Sequence, residues 1–400
     1  MMLWNPSALL MMLATALFCA IGEGRVGYCQ NSERQPLPTP AGRNAALIYW
    51  QSFALMPGLT PDEKQRIAVA TSNLSHELPE DLLPILEQYT IALDQLQRAI
   101  AVPHCDWDLD TNDGPLMLLT HLQKARELSF AVSLVAKKRF ESGDVQGGIN
   151  LLHATMKLAR DASRPPLLIS FLVGTVIERN AIDVLAQYLQ EMSVEEHERI
   201  REMMKSLPAS PSFVDCMHCE QQMLAPWLKR RIEAAMLDLQ PDQSASVIVA
   251  AIFAKLGDNS VSIPDDMTKG DVRESLENLE SHYEEMARIA GLPLQDQSGQ
   301  WTALEAKIKS VLNSSNKSQA FSGLLPTPTG TQNAFLRGAK LNAKREMLQL
   351  AMKLVTADGA HKIPAGTQYR SIDNGFELTQ QVGGDVERLR VGRSAINEQE

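Results

Sequence analysis

Residues 115–159, PLMLLTHLQKARELSFAVSLVAKKRFESGDVQGGINLLHATMKLA, decide the fold class. Leu118, Leu122, Ala125, Leu128, Val132, Val135 and Phe140 recur at steps of three, four or five, which lays a single apolar stripe along a helix. Gly143 ends that helix and Asp144 caps the next, whose answering stripe is Val145, Ile149, Leu152, Met156 and Ala159. Two apolar stripes joined by a Gly-Asp turn must face each other, so the stretch predicts an antiparallel helical hairpin. Its turn and its interface alanines are similar to a tetratricopeptide-type unit.

The same periodicity extends from Asn44 almost to residue 312. After Pro165-Pro166 comes a segment from Leu167 to about Met192 that is apolar on nearly every side at its start, which predicts the central buried helix. Further helices are expected over Val194–Leu207, Phe213–Leu237, Ser244–Leu256, Lys269–Leu292 and Trp301–Leu312, with Pro226 kinking or splitting the second of these. Polar, turn-prone residues fill 313–332, which reads as a linker, and Leu325-Pro326-Thr327-Pro328 echoes Leu37-Pro38-Thr39-Pro40. A last helix is expected over Asn333–Val355. Beyond it, Gln368–Ile372 and Phe376–Thr379 flank Asp373-Asn374-Gly375, a hairpin signal. The expected architecture is therefore mainly α: an all-α helical domain over 44–312 with repeat-like hairpins, then a small α+β unit over 333–391 and a disordered tail over 392–400.

The amino terminus carries an address. Residues 1–22 hold no charged side chain and include an apolar run of about 14 residues, Ala8–Ile21, that ends in Ala20-Ile21-Gly22. Small residues at that spacing are what signal peptidase accepts, so 1–22 reads as a signal peptide and the chain as exported, whether periplasmic, envelope-associated or secreted. The run is shorter than the roughly 20 apolar residues that span a bilayer, which argues against a transmembrane anchor. Residues 23–43 follow as a Pro-rich linker, with Pro36, Pro38 and Pro40 favouring an extended tether.

A formal net charge of −10 argues against nucleic acid as a partner, because phosphate contacts need clustered Lys and Arg. The nearest approach to a basic patch is Arg337, Lys340, Lys344 and Arg345 on the last helix, read as a solvated face. Loss of Cys19 with the signal would leave Cys29, Cys105, Cys216 and Cys219, an even number that permits disulfides without requiring them.

Three places could carry chemistry. His104-Cys105-Asp106-Trp107-Asp108-Leu109-Asp110 alternates carboxylates as the start of a calcium loop does, although Thr111 stands where such a loop turns on Gly and Met117 where it places a bidentate Glu. Cys216-Met217-His218-Cys219 has the CxxC spacing of redox and zinc sites, and His104 with Cys105 is the other Cys/His neighbourhood that could complete a metal shell. Helical spacing also places Phe213, Cys216, Cys219, Met223 and Trp227 near one face, which reads as core. Glu178, at the edge of the apolar helix, could have the raised pKa of an acid or base, or could be a structural ion-pair partner. No Gly-rich phosphate loop, nucleophile elbow or zinc-peptidase helix is present, and no cofactor is expected beyond calcium or zinc at these positions.

Several segments together resemble a family of exported helical proteins of planctomycete-type bacteria: Asn44-Ala45-Ala46-Leu47-Ile48-Tyr49-Trp50-Gln51, Cys105-Asp106-Trp107 leading through Gly114-Pro115 into Leu118-Leu119-Thr120-His121-Leu122, and Arg126-Glu127-Leu128. Gly359-Ala360-His361-Lys362-Ile363-Pro364 departs from that family's Gly-Tyr-Pro turn. The resemblance implies no activity and carries no catalytic residues. The expected function is a non-enzymatic, partner-binding or envelope scaffold protein, with a protein as partner. The alternative is a metal- or thiol-dependent enzyme built on Cys216/Cys219 or the Asp106–Asp113 loop.

Overall fold

A computed structural model describes residues 43–74, 76–237, 244–255, 263–312, 321, 326–356 and 362–392. The expected signal peptide, nearly all of the first linker, Cys19, Cys29 and all but the first residue of the expected tail lie outside the described residues. The described chain is mainly helical and ends in a small antiparallel sheet.

The hairpin forms as its stripes require from Leu122 onward, while Leu118, the first residue expected on the stripe, lies ahead of the helix and is exposed. Helices α1 (Ala45–Ala54), α2 (Pro61–Ser72), α3 (Leu83–Glu87) and α4 (Thr90–Arg98) precede it, and the hairpin itself is α5 (Thr120–Glu141) and α6 (Val145–Ala162). Its turn depends on Gly143 at φ +84°, which lets the amide of Asp144 reach the carbonyl of Arg139 at 2.9 Å. The Asp144 carboxylate then accepts from the amide of Gly147, also at 2.9 Å, and starts α6. The close approach rests on Gly148, where a Cβ would stand 2.6 Å from the Phe140 ring.

The apolar segment after Pro166 is α7 (Leu168–Tyr188), and it is the hub. It packs on α5 and α6 on one side and on the carboxy-terminal helix and sheet on the other. Ile177, Ala181, Ile182, Leu185 and Ala186 are fully buried in the larger of two apolar cores. The second core is built by α9 (Phe213–Met236), α10 (Ser246–Lys255), α11 (Lys269–Ala290) and α12 (Leu294–Leu312), while α8 (Val194–Ser206) closes the first. No helix among the described residues is long and apolar enough to cross a membrane.

Three expectations about element boundaries change. Pro226 does not split α9, which runs unbroken from Phe213 to Met236. Leu224 and Ala225 before the proline and Trp227, Leu228 and Ile232 after it are all buried, so the helix packs on both sides of Pro226. The last helix, α13, starts at Pro328 rather than Asn333. The Thr-Pro echo of the first linker is here a helix start: the Thr327 hydroxyl accepts from the amide of Gly330 at 3.1 Å, and Pro328 takes the first helical position, where it has no N–H to satisfy. Similarly, α12 starts at Leu294, ahead of Trp301.

The tail holds three strands, one more than the sequence suggested: β1 (Thr367–Ile372), β2 (Gly375–Val382) and β3 (Asp385–Val391), in that spatial order and antiparallel throughout. Ile372 pairs with Gly375 across Asp373-Asn374, with Asn374 at φ +58°. The missed turn is Gly383-Gly384, both at positive φ between the paired Val382 and Asp385, as a two-residue type I′ connection demands. Phe376, Leu378, Leu389 and Val391 point into the core beside α7 and α13.

Candidate functional site

Glu178 sits on α7 with 1 % of its surface exposed, between α6 and α13. Arg160 of α6 and Arg345 of α13 both grip it in parallel, two-bond fashion. Arg160 donates from Nε to Oε2 at 2.6 Å and from Nη2 to Oε1 at 2.8 Å. Arg345 donates from Nε to Oε1 and from Nη2 to Oε2, each at 2.7 Å. The guanidinium groups are themselves held, Arg160 by the carbonyl of Pro208 at 3.0 Å and Arg345 by Asn342 at 2.6 Å and, more distantly, Ser210. Burial raises the carboxyl pKa, but the bonds and charges of the two arginines outweigh it, and Glu178 is held below the usual carboxylate range. The raised pKa of an acid or base at this position is therefore replaced by its opposite, and four donors occupy both oxygens. The geometry is that of a clamp joining three helices.

The basic cluster on α13 likewise departs from a solvated face. Lys344 is buried and pairs with Asp183 of α7 and with Glu387 of β3, the latter at 3.6 Å. Lys340 pairs with Asp385 at 2.7 Å and Arg345 with Glu178, which leaves Arg337 as the exposed member of the four.

A second buried polar cluster was missed in the sequence. Asp161 on α6 is fully buried and accepts at Oδ2 from the Tyr49 hydroxyl at 2.7 Å and from Lys157 Nζ at 2.6 Å. The Trp107 indole N–H donates to the carbonyl of Asp161 at 2.9 Å, and His121 stacks on Trp107 with ring centroids 4.3 Å apart. The available signal was a Lys and an Asp four residues apart on α6 beside its apolar stripe. Burial, with the Asp161 charge behind it, pushes the Tyr49 hydroxyl well above its ordinary pKa. Burial and then Asp161 push the neighbouring Cys105 thiol up to about 12, and burial alone pushes His121 down to about 4. At neutral pH the thiol is protonated and the imidazole uncharged, so neither serves as an activated nucleophile or a cation.

The acidic loop over 104–114 performs local work. Its backbone caps α1: Ala45 donates to the carbonyl of His104 at 2.8 Å, and the Asn44 side chain exchanges two hydrogen bonds with the backbone of Asp106. Asp106 accepts from the amide of Asp108 at 3.0 Å and Asp110 from that of Asn112 at 2.9 Å, both turns closed over two residues. Asp106, Asp108, Asp110 and His104 are exposed, and Met117, at the place of a calcium loop's last ligand, is buried in the core.

On α9, Cys216 is fully buried and donates its thiol to the carbonyl of Ser212 at 3.3 Å, while Cys219 is half-buried and His218 exposed. Cys105, Cys216 and Cys219 are free thiols. Burial, and after it Glu220, raises the pKa of both α9 cysteines, the reverse of the lowered value a redox or nucleophilic thiol needs. Phe213, Cys216 and Trp227 lie in the second core, but Cys219 does not. Glu220, which the sequence reading passed over, accepts from the amide of Leu168 at 2.8 Å and so anchors the start of α7 to α9. Nowhere among the described residues do three His, Cys, Asp or Glu side chains converge as a metal site would require.

The comparisons with known proteins add no relative: no family model, no curated protein and no solved structure matches the chain.

Proposed function

We propose that this chain is an exported, non-enzymatic helical protein that binds a partner protein or serves as an envelope scaffold, and that its family is the exported planctomycete-type one that its sequence resembles. The observation that carries this reading is the state of the chemistry-bearing side chains. Glu178 is saturated by two arginines, the Cys105, Cys216 and Cys219 thiols are shifted away from reactivity, and Asp106 and Asp110 close turns. Glu178 joins helices and the two aspartates close turns, while the shifts of Glu178 and the three thiols run opposite to those of an activated acid, base or nucleophile.

The test is recovery of a partner from envelope extract by the chain beginning at Glu23, followed by direct titration of the two purified proteins. A reproducible partner with a saturable binding curve is the expected result. Turnover of a defined substrate by the purified chain, with no partner that titrates, would overturn the reading.

A further inference from the structure

The sheet has one side that nothing in the described structure closes. β2 and β3 lie on α13, and β3 also on α7, whereas β1 takes its packing from β2. The four central residues of β1, Gln368 to Ser371, are exposed, and Tyr369 retains 46 % of its surface although it stacks on Phe376. Among the described residues the outer edge of β1 pairs with no other strand, so alternate backbone N–H and C=O groups face outward, as they do on any edge strand.

The face of the sheet turned away from the helices is cationic. In register, Arg370 of β1, Glu377 of β2 and Arg390 of β3 form one cross-strand row. Glu377 is buried between the two arginines, at 3.3 Å from Arg370 and 3.1 Å from Arg390. Arg390 and its exposed same-face neighbour Arg388 bring the row to three guanidinium groups against one carboxylate, on a chain whose net charge is −10. Among the described residues Arg370 has one carboxylate partner, which it shares with Arg390, and it is 68 % exposed at the free edge. The opposite face of β1 offers the ring of Tyr369.

We propose that the edge of β1 receives an extended segment of a partner protein as a fourth strand, and that this segment carries an acidic residue opposite Arg370 flanked by apolar residues that cover Tyr369. Backbone pairing supplies the attachment, and alternation of acidic and apolar side chains supplies the choice of segment. Charge favours a foreign strand over a second copy of this chain, because sheet continuation about a two-fold axis at Arg370 would set two guanidinium groups opposite each other. The proposal rests on the partner-binding reading above and makes it specific.

The experiment uses the full chain and three labelled peptides: one of alternating valine and threonine with a central glutamate, the same with lysine in its place, and the first with a proline beside the glutamate. Fluorescence anisotropy should show the glutamate peptide binding roughly three- to tenfold more tightly than the lysine peptide, and the proline peptide losing binding through its missing donor. Hydrogen exchange should show the outward β1 amides protected by the glutamate peptide. Arg370→Glu should reverse the peptide preference, and Arg370→Gln, which leaves Glu377 its Arg390 partner, should erase it. Equal affinity for both charged peptides, binding without protection of β1, or self-association through β1 in place of peptide binding would overturn the proposal. If no peptide binds while the full chain still titrates a purified partner, this inference falls and the partner-binding reading stands; if neither occurs, both fall.

Discussion

Replacement of Glu178 by Gln tests the clamp at its centre. The carboxylate is 1 % exposed and accepts four N–H bonds at 2.6 to 2.8 Å from two guanidinium groups on different helices. The introduced amide would keep one acceptor oxygen, turn an NH2 group toward donors and leave two cations facing each other without their shared anion. Removal of one partner from a buried pair costs about 3 to 5 kcal/mol, a large share of a stability that is itself about 5 to 15 kcal/mol. In urea, with a slope of about 3 kcal/mol per molar, the midpoint should fall by about 1 to 1.7 M with the slope unchanged. Arg345→Met and Arg160→Met should each cost less, since either leaves a one-to-one pair. The pH dependence has a fixed sign. The folded pKa of Glu178 lies below its ordinary 4.5, so its contribution is complete above the unfolded value and is lost as pH falls through the folded one. Glu178→Gln should therefore show a flatter loss of stability below about pH 4.5 than the parent. A cost under about 1 kcal/mol, or Arg345→Met proving the more damaging change, would refute the reasoning.

Tyr49→Phe removes one hydrogen bond to the buried Asp161 charge and should cost about 1.5 to 3 kcal/mol, read by urea unfolding; no loss would mean that the hydroxyl bond contributes nothing. Gly114 sits at φ +57° with a Cβ position 2.4 Å from the Trp227 ring, so Gly114→Ala should destabilise by about 2 to 4 kcal/mol and shift the tryptophan fluorescence. Cys216→Ala with Cys219→Ala should cost about 1 to 3 kcal/mol and leave partner binding intact; a loss of binding or activity out of proportion to stability would make the thiols functional. Sequencing of exported protein should return an amino terminus near Glu23, and an intact Met1 would refute the signal reading.

What the sequence made legible follows the reach of its signals. Apolar stripes in α5 and α6, the Gly143-Asp144 turn and the Asp373-Asn374-Gly375 hairpin are local patterns, and each forms where its pattern lies except at the start of α5, where Leu118 falls outside the helix. The Thr327-Pro328 start of α13 was equally local but ambiguous, because a polar Pro-rich stretch and a helix cap use the same residues. Glu178 could be singled out as a buried carboxylate, but the sign of its pKa shift depended on Arg160, 18 residues before it, and Arg345, 167 residues after it. No spacing rule joins three helices at such separations. The same limit turned Lys344 from an apparent surface cation into a buried one, since its partners Asp183 and Glu387 come from α7 and β3.

These long-range pairs have a consequence for how the molecule is built. α7 is tied at its middle to α6 and α13 through Glu178, and to β3 through the Arg179–Glu387 pair at 2.8 Å. Its start is tied to α9 through the Leu168 amide and Glu220. One helix thus carries the contacts that relate the hairpin, the second core and the sheet. Apolar packing is tolerant of small shifts in register, whereas two-bond Arg–carboxylate geometry is not. The hydrophobic pattern brings these elements together, and the ionic contacts along α7 are satisfied in the register observed. For the free edge of β1 this matters directly: Lys344 and Arg179 meet at Glu387 on the strand that anchors the sheet, so the edge is presented by a fixed support.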